Sequence, residues 1–392
     1  MIYLRGIVAK SNFPILYHRI LRGVIIKTYC KNVDICNPQT IEPWISLYRS
    51  TLKPQRRASF NRLSEKYGGI RGIGIEIAKR IQCRNLNLPK IKASERCDKS
   101  SNKMRKIGVE STMQQIMDYV AVYTLMPMLR AKVGYYQCAS IPGRGQIFGK
   151  EAIEKWIRNK YQPSKYFDKM DIRHCFESIS FKTIEKLLNH DIHKNPTLIW
   201  FVVELCKTHG EGLSIGSFLS QWLCNYVMSY AYHYASEKIY KARRGTKKML
   251  FDHVLFYMDD IYISSRDKRD LRMGSKTLVE YFKKELGLTI KPNHIIHKID
   301  ENNPIDMMGY VITPKKTVIR AHVFNRLRRT CIRGWRLYCN HQWIPLSYAN
   351  KITAYNGIIK HSDSRTIRNK LHFGVLFKQS LYVRYYYYVI KS

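Results

Sequence analysis

The sequence predicts an α+β fold, an antiparallel sheet backed by helices, and three observations carry that reading. Residues 166–172 (YFDKMDI) form a short apolar run that ends at a carboxylate, Asp171. Two β-rich runs, 253–257 (HVLFY) and 261–265 (IYISS), flank Met258-Asp259-Asp260, the pattern of a hairpin with acids at its turn. Apolar residues at helical spacing surround these runs, most clearly over 111–132 and 217–240.

In chain order, residues 1–80 carry apolar residues at helical spacing, broken by Pro43, Pro54 and the Gly68-Gly69 pair. Residues 1–90 are therefore expected to form a basic helical extension. Residues 82–106 are polar and basic with almost no periodicity, which reads as a loop or hairpin tip. Ser111 stands where a cap would open the helix over 111–132. A glycine-rich turn (141–149) and a second helix near 150–160 precede the strand that ends at Asp171. Helices follow over 181–207 and 217–240, then the acidic hairpin and a helix near 268–286. Residues 306–312 (DMMGYVI) read as a final strand. After Pro314 the composition shifts to Arg, Trp and Tyr on helical spacing, a separate basic helical module over 313–392.

A chain of 392 residues has room for two or three domains and a sizeable core, and a 45% hydrophobic content excludes an extended disordered protein. Lys and Arg number 68 against 29 Asp and Glu, a formal net charge of +39. The cations run from end to end, so the whole body favours a polyanion, nucleic acid above all. Ribosomal-type and membrane-surface proteins share that charge, which by itself does not separate them. The ten cysteines form no Cys-x-x-Cys pair, which argues against a zinc ribbon or redox motif. Reduced thiols in a cytoplasmic protein are expected. No signal-peptide core and no apolar stretch of membrane-spanning length stands out, so no membrane partner is expected.

The carboxylates give the chemistry. If the strand ending at Asp171 neighbours the acidic hairpin, Asp171, Asp259 and Asp260 converge at one sheet edge. Hard oxygen ligands gathered this way suit two Mg²⁺ ions, about 3.5–4 Å apart, that activate a primer 3′-hydroxyl and stabilise a leaving pyrophosphate. An Asp-Asp pair alone is a weak signal, since acidic turns are common. Its setting strengthens it: apolar strands on both sides and Tyr257 directly before.

Tyr257-Met258-Asp259-Asp260 resembles the YxDD box of reverse transcriptases, and other boxes of that family follow in order. Asp171-Ile172-Arg173-His174-Cys175-Phe176 is similar to the first catalytic box. Residues 212–225, from Gly212 through Gly216, Ser220 and Gln221 to Asn225, resemble the template-and-dNTP box. Residues 287–292 (GLTIKP) and Met308-Gly309-Tyr310 resemble the two boxes after YxDD. The resemblance covers about 100–312. It implies an RNA-directed DNA polymerase with a right-hand architecture: fingers and palm over 91–312 and a helical thumb over 313–392. Template RNA, an RNA/DNA duplex and dNTPs would be its partners.

The resemblance also implies roles. Asp171 and Asp259 would ligate two Mg²⁺ ions (Mn²⁺ is the alternative), with Asp260 assisting and the Ile172 carbonyl completing a shell. Phe176 would lie beneath the incoming sugar and select against a 2′-hydroxyl, although ordinary core packing also explains it. Lys103 and Arg105 would reach the triphosphate. Arg144 would contact template or triphosphate. Gly216, Ser220, Gln221 and Asn225 would line the template and dNTP site. Lys291 or His294 would protonate the leaving pyrophosphate. In the thumb, Arg326, Arg328, Arg329, Arg333 and Arg336 would neutralise duplex phosphates, while Trp335, Trp343 and Tyr355 would pack the module or stack on bases.

Departures narrow the lineage. Group II intron enzymes usually carry glutamine where Ile215 stands and proline where Gln221 stands. The arrangement here resembles prokaryotic enzymes of diversity-generating retroelements and phage-associated relatives, as do residues 354–364 of the thumb. That resemblance implies error-prone copying of template adenines and a small accessory protein as partner. A second reading is an anti-phage defence polymerase that makes DNA from a dedicated noncoding RNA. A third is a non-enzymatic RNA-binding splicing cofactor that keeps the fold. Residues 313–392 show no RNase H, integrase or paired-cysteine endonuclease pattern.

Overall fold

The computed structural model describes residues 29–98, 103–243 and 245–390. The expected N-terminal extension thus lies partly outside the described residues. Its visible part is three helices: α1 (Pro38–Thr51), α2 (Pro54–Tyr67) and α3 (Gly69–Gln82). Proline opens α1 and α2, where its fixed φ suits the first helical turn. Gly68 ends α2 at φ 74°, a left-handed cap that redirects the chain. The polar stretch after α3 forms an antiparallel hairpin, β1 (Lys92–Asp98) and β2 (Lys103–Val109).

Ser111 caps α4 (Thr112–Lys132) by accepting from the Gln114 N–H. This helix is apolar on almost every face and accordingly sits deep inside. Ile116, Met117, Val120 and Leu125 share one core with Ile41 and Ile45 of α1, Phe60 of α2 and Ile73 and Ile77 of α3. The N-terminal helices are built onto the same core as the rest of the body.

Next come β3 (Gln137–Cys138), α5 (Gln146–Ile157), β4 (Tyr166–Asp171), the short α6 (Cys175–Ser178), α7 (Phe181–Ile192), α8 (Pro196–Lys207) and α9 (Phe218–His233). The sequence predicts helix to residue 240. Instead α9 ends at His233 and runs through a π turn (Tyr234–Lys238) into the hairpin β5 (Tyr240–Arg243) and β6 (Thr246–Met249). The hairpin is tied to the helix after β8 by Lys241 and Lys248, which both reach the buried Asp270, at 2.5 and 2.8 Å.

The acidic hairpin is β7 (His253–Tyr257) and β8 (Asp260–Ser265), followed by α10 (Lys268–Glu285) and β9 (Ile296–Lys298). The central sheet has the order β3-β7-β8-β4-β9. Every pairing is antiparallel except the two-residue edge strand β3, which lies parallel to β7. That pairing bridges many intervening residues, as a parallel connection requires.

Residues 305–312 are not one strand. They fold as β10 (Ile305–Met307) and β11 (Tyr310–Ile312), followed by β12 (Thr317–Ile319), in a separate three-stranded sheet. Met308 and Gly309 both take positive φ, 56° and 86°. That is the geometry of a tight two-residue hairpin turn, and it folds the apolar run back on itself. Four helices complete the chain: α11 (Ala321–Cys339), α12 (Leu346–Ile359), α13 (Arg365–Lys370) and α14 (Phe373–Tyr385). Leu327, Cys331, Ile352, Ile359 and Leu376 give this module its own small core, with Trp335 and Tyr355 packed against it. Trp343 is instead 64% exposed. Arg326, Arg328, Arg329, Arg333 and Arg336 all face outward. The module is fastened to the body by buried Lys150, which donates to the His361 carbonyl, and by Tyr310, which donates to the Ile358 carbonyl. Among the described residues no helix is long and apolar enough to cross a membrane.

Candidate active site

Asp171 ends β4 and lies directly opposite Asp260, the first residue of β8. Asp260 also pairs with Tyr257, so Met258 and Asp259 form the turn between β7 and β8. Of the three acids only Asp259 is a turn residue, and Met258 beside it accommodates the reversal at φ 54°. The Ile172 N–H donates to the Asp259 carbonyl (3.2 Å), which pins the turn against the chain leaving β4. The three carboxylates are therefore brought to one edge of the sheet by register and by a hydrogen bond at the turn.

Two lysines stand among them. Lys291 Nζ lies 2.6 Å from Asp171 Oδ1, and its backbone N–H donates to the Asp171 carbonyl. Lys169, on the same face of β4, lies 3.3 Å from Asp260 Oδ1 and donates to the Asp306 carbonyl. Sequence reasoning missed Lys169, although its two-residue offset from Asp171 is the signal that would have found it. The Lys291 contact is an ion pair without hydrogen-bond angles, so Asp171 Oδ1 is buried with no hydrogen-bond partner. Burial first, then Asp260 and Asp171, push the Asp259 carboxyl above its usual range. Among the described residues no three His, Cys, Asp or Glu side chains already form a closed ligand set. A buried carboxylate oxygen without a hydrogen-bond partner, and three hard oxygen donors whose repulsion Lys291 and Lys169 only partly offset, nevertheless fit a divalent cation such as Mg²⁺.

The chain after β4 carries Phe176, half-buried on α6. The Phe176 carbonyl accepts from the Leu213 N–H at 2.8 Å, which docks the 212–221 loop onto α6. Gly212 permits that approach, because a Cβ there would stand 2.0 Å from the Glu177 carbonyl oxygen. On its other side the loop meets β2, where the Gly108 N–H donates to the Ile215 carbonyl. Gly216 turns at φ 108° with Ile107 packed close. Arg105 lies exposed on the same strand. Lys103 opens β2, and its side chain lies outside the described residues.

The other candidates divide by burial. Ser220 is fully buried and accepts from the Ser214 N–H, so it holds the loop from beneath. Asn225 is also buried and donates to the Ala139 and Gln221 carbonyls. Gln221 remains half-exposed. Arg144 donates to the Gly134 carbonyl at 2.7 Å and lies over the Tyr135 ring. His294 sits apart from the carboxylates: its Nδ1 lies 3.0 Å from Oδ2 of Asp168, which faces the other side of β4 from Asp171. Of the two candidate proton donors, the structure brings only Lys291 to the acids.

A buried polar cluster supports the loop from the α4 side. Ser217, the cap of α9, donates to Asp118 Oδ2 at 2.8 Å. Glu110 and His209 lie close by, 4.0 Å apart. Burial and then Glu110 push the Asp118 carboxyl well above its usual range, and burial raises Glu110 as well. Burial lowers His209 to about 4. A lone acid in the apolar run 111–132 was the available signal.

This cluster has a pH signature. A raised carboxyl keeps in the folded state a proton that the unfolded chain releases, so stability falls as pH rises through the shifted range. His209 acts oppositely, but only between about 4 and its ordinary value near 6.5. Asp118→Asn, which mimics the protonated acid, is expected to lose less melting temperature than wild type as pH rises above the ordinary carboxylate range, with His209 contributing equally to both proteins. Parallel melting profiles for the two proteins would contradict this.

Comparison with known proteins agrees with the boxes. The sequence profile described as reverse transcriptase (RNA-dependent DNA polymerase) matches residues 97–312. No individually curated protein matches the chain. Among solved structures, apo telomerase from Candida tropicalis truncated from its C-terminal domain aligns at 13% identity and a TM-score of 0.42, over 59% of this chain and 55% of that one. Telomerase from Candida albicans, in complex with a TWJ fragment of telomeric RNA, aligns at 13% identity and a TM-score of 0.42, over 68% of this chain and 50% of that one. The chain thus spans about half the length of the telomerase chains it matches.

Proposed function

The chain belongs to the reverse transcriptase (RNA-dependent DNA polymerase) family, and from that premise we propose that it extends a primer by copying an RNA template into DNA. One observation supports this above the others: Asp171 and Asp260 are register partners, and Asp259 occupies the adjoining turn. Residues 91–312 serve as fingers and palm and 313–392 as the thumb, preceded by the basic N-terminal extension. Asp171 and Asp259 hold two Mg²⁺ ions, Asp260 assists, and Ile172 offers its carbonyl; Mn²⁺ suits the same donors. Metal held there would supply Lewis-acid chemistry, easing loss of the 3′-hydroxyl proton and offsetting charge on the pyrophosphate. Primer extension on an RNA template should therefore require Mg²⁺ and stop on chelation. Extension that persists in excess chelator would overturn the metal assignment.

The chain's own groups set position and proton supply. Phe176 lies under the sugar, Arg105 and Lys103 reach the triphosphate, and Gly216 and Gln221 shape the template side. Ser220 and Asn225 hold that loop in place. Lys291 donates a proton to the departing pyrophosphate, because it is the cation beside Asp171. Lys291→Met is expected to slow single-turnover incorporation about 10²-fold with duplex affinity little changed. An unchanged rate would remove Lys291 from this role.

The finer assignment is to prokaryotic enzymes of the diversity-generating type, acting in the cytoplasm with a small accessory protein. Ile215 supports it, since its half-buried side chain offers no hydrogen bond near the template base. Misincorporation opposite template adenine should exceed that opposite the other bases, and Ile215→Gln should reduce it. Sequenced products with equal error at all four bases would exclude this assignment and favour the defence-type alternative.

A further inference from the structure

The face of the sheet behind the carboxylates carries a second basic feature. Between α10 and β9 lies an open cavity of about 580 Å³, lined by Lys268, Arg272, Lys276, Val279, His294 and Ile296 among others. Lys268, Arg272 and Lys276 recur every four residues along one side of α10 and are exposed. Adjacent cations in such a row stand about 6 Å apart along the axis, and the row spans about 12 Å. No ion pair joins any of the three to an acid among the described residues. The one acid on the α10 wall, Glu280, lies 4.0 Å from Lys284.

The floor of the cavity is built. Asp168 is fully buried, accepts from Ser275 Oγ at 2.9 Å and holds His294 Nδ1 at 3.0 Å. The imidazole is thus fixed in orientation by a buried carboxylate that Ser275 also holds, leaving Nε2 as its unheld nitrogen. Ile295, 65% exposed at the rim, offers an apolar surface beside the cations. Asp168 and Asp171 point to opposite faces of β4. A strand held here cannot be the duplex held at the carboxylates.

We propose that this cavity binds the phosphate backbone of a single-stranded RNA segment, separately from the template–primer at the catalytic edge. A row of cations longer than one phosphate group, an oriented imidazole and an open mouth suit a strand passing through better than an enclosed small anion. Three phosphates neutralised on a single strand correspond to a slope of about −2 in log affinity against log salt.

The test uses the full chain with its catalytic edge saturated by a pre-annealed RNA/DNA template–primer, and an oligo-uridine RNA as probe. Wild type is expected to bind the probe, and the triple variant Lys268→Ala/Arg272→Ala/Lys276→Ala to bind it at least about tenfold more weakly, with a salt slope smaller by about 2. Primer extension on the pre-annealed duplex should be unchanged in that variant, which separates this site from the proposed polymerase reaction. A control removing three surface cations elsewhere, Lys182→Ala/Lys186→Ala/Lys194→Ala, should leave probe affinity within about twofold. No probe binding by the saturated wild type would overturn the proposal. Equal losses in both triple variants would do the same, as would displacement of the probe by millimolar inorganic phosphate or dNTP alone.

Discussion

Asp259→Ala is expected to lower dNTP incorporation by about a thousandfold or more while the protein melts no lower than wild type. The two halves of this result have one cause. Asp259 sits in the turn between β7 and β8, where burial and the neighbouring Asp260 and Asp171 already disfavour its charged form. Its carboxylate is held at a cost to stability, as expected of a group whose charge serves the proposed metal site. Removing it relieves repulsion. It also takes one negative charge from a surface that meets RNA, so duplex affinity should hold or rise. A purely structural acid would behave in the opposite way, with loss of melting temperature and little loss of rate. Incorporation assays, thermal melts and duplex titrations on the same two proteins separate these cases.

Gly212→Ala should produce the second largest loss, about a hundredfold in incorporation, through position alone. The added Cβ would meet the Glu177 carbonyl oxygen at 2.0 Å and its carbonyl carbon at 2.5 Å. Both are backbone atoms of α6, so no side-chain rotation relieves the contact. The 212–221 loop must lift away from Phe176, breaking the Leu213 N–H bond to the Phe176 carbonyl. The change affects the distance between two segments and removes no functional group. Gly374→Ala is the control: it lies in α14 with nothing within 4 Å of its added Cβ, and activity there should be unchanged. If both variants keep wild-type rates, the docking of the loop on α6 is not required for incorporation.

The parts legible in the sequence are those written in local pattern. The strand before Asp171, the hairpin around Asp259 and the apolar α4 each announce themselves by spacing, and the expected α+β architecture follows from them. The reading failed where a long-range contact decides. The helical run from Phe218 passes into a π turn after His233 and gives way at Tyr240 to a hairpin whose Lys241 and Lys248 reach Asp270, a contact between segments more than twenty residues apart. The run 306–312 folds back at Met308-Gly309 because two positive φ angles fit there, and only the glycine signals one of them.

The site shows the same division. Asp171, Asp259 and Asp260 were visible as types in a setting, and so was Lys291 by its neighbourhood. Ser220 and Asn225 were readable as members of the template-and-dNTP box, but their burial in α9 was not. The cluster of Glu110, Asp118, His209 and Ser217 joins positions about a hundred residues apart, and no periodicity encodes that. His294 was a plausible proton donor in sequence because it lies three residues past Lys291. One change of strand face sends it to Asp168 instead.

In the proposed reaction RNA dictates the sequence of the DNA product. The most direct measurement sequences the DNA that the purified chain makes from a DNA primer on two RNA templates of unrelated sequence, with Mg²⁺ and all four dNTPs. The account predicts two different products, each complementary to its own template apart from errors concentrated opposite adenine. Identical products on both templates, or additions unrelated to either, would contradict it.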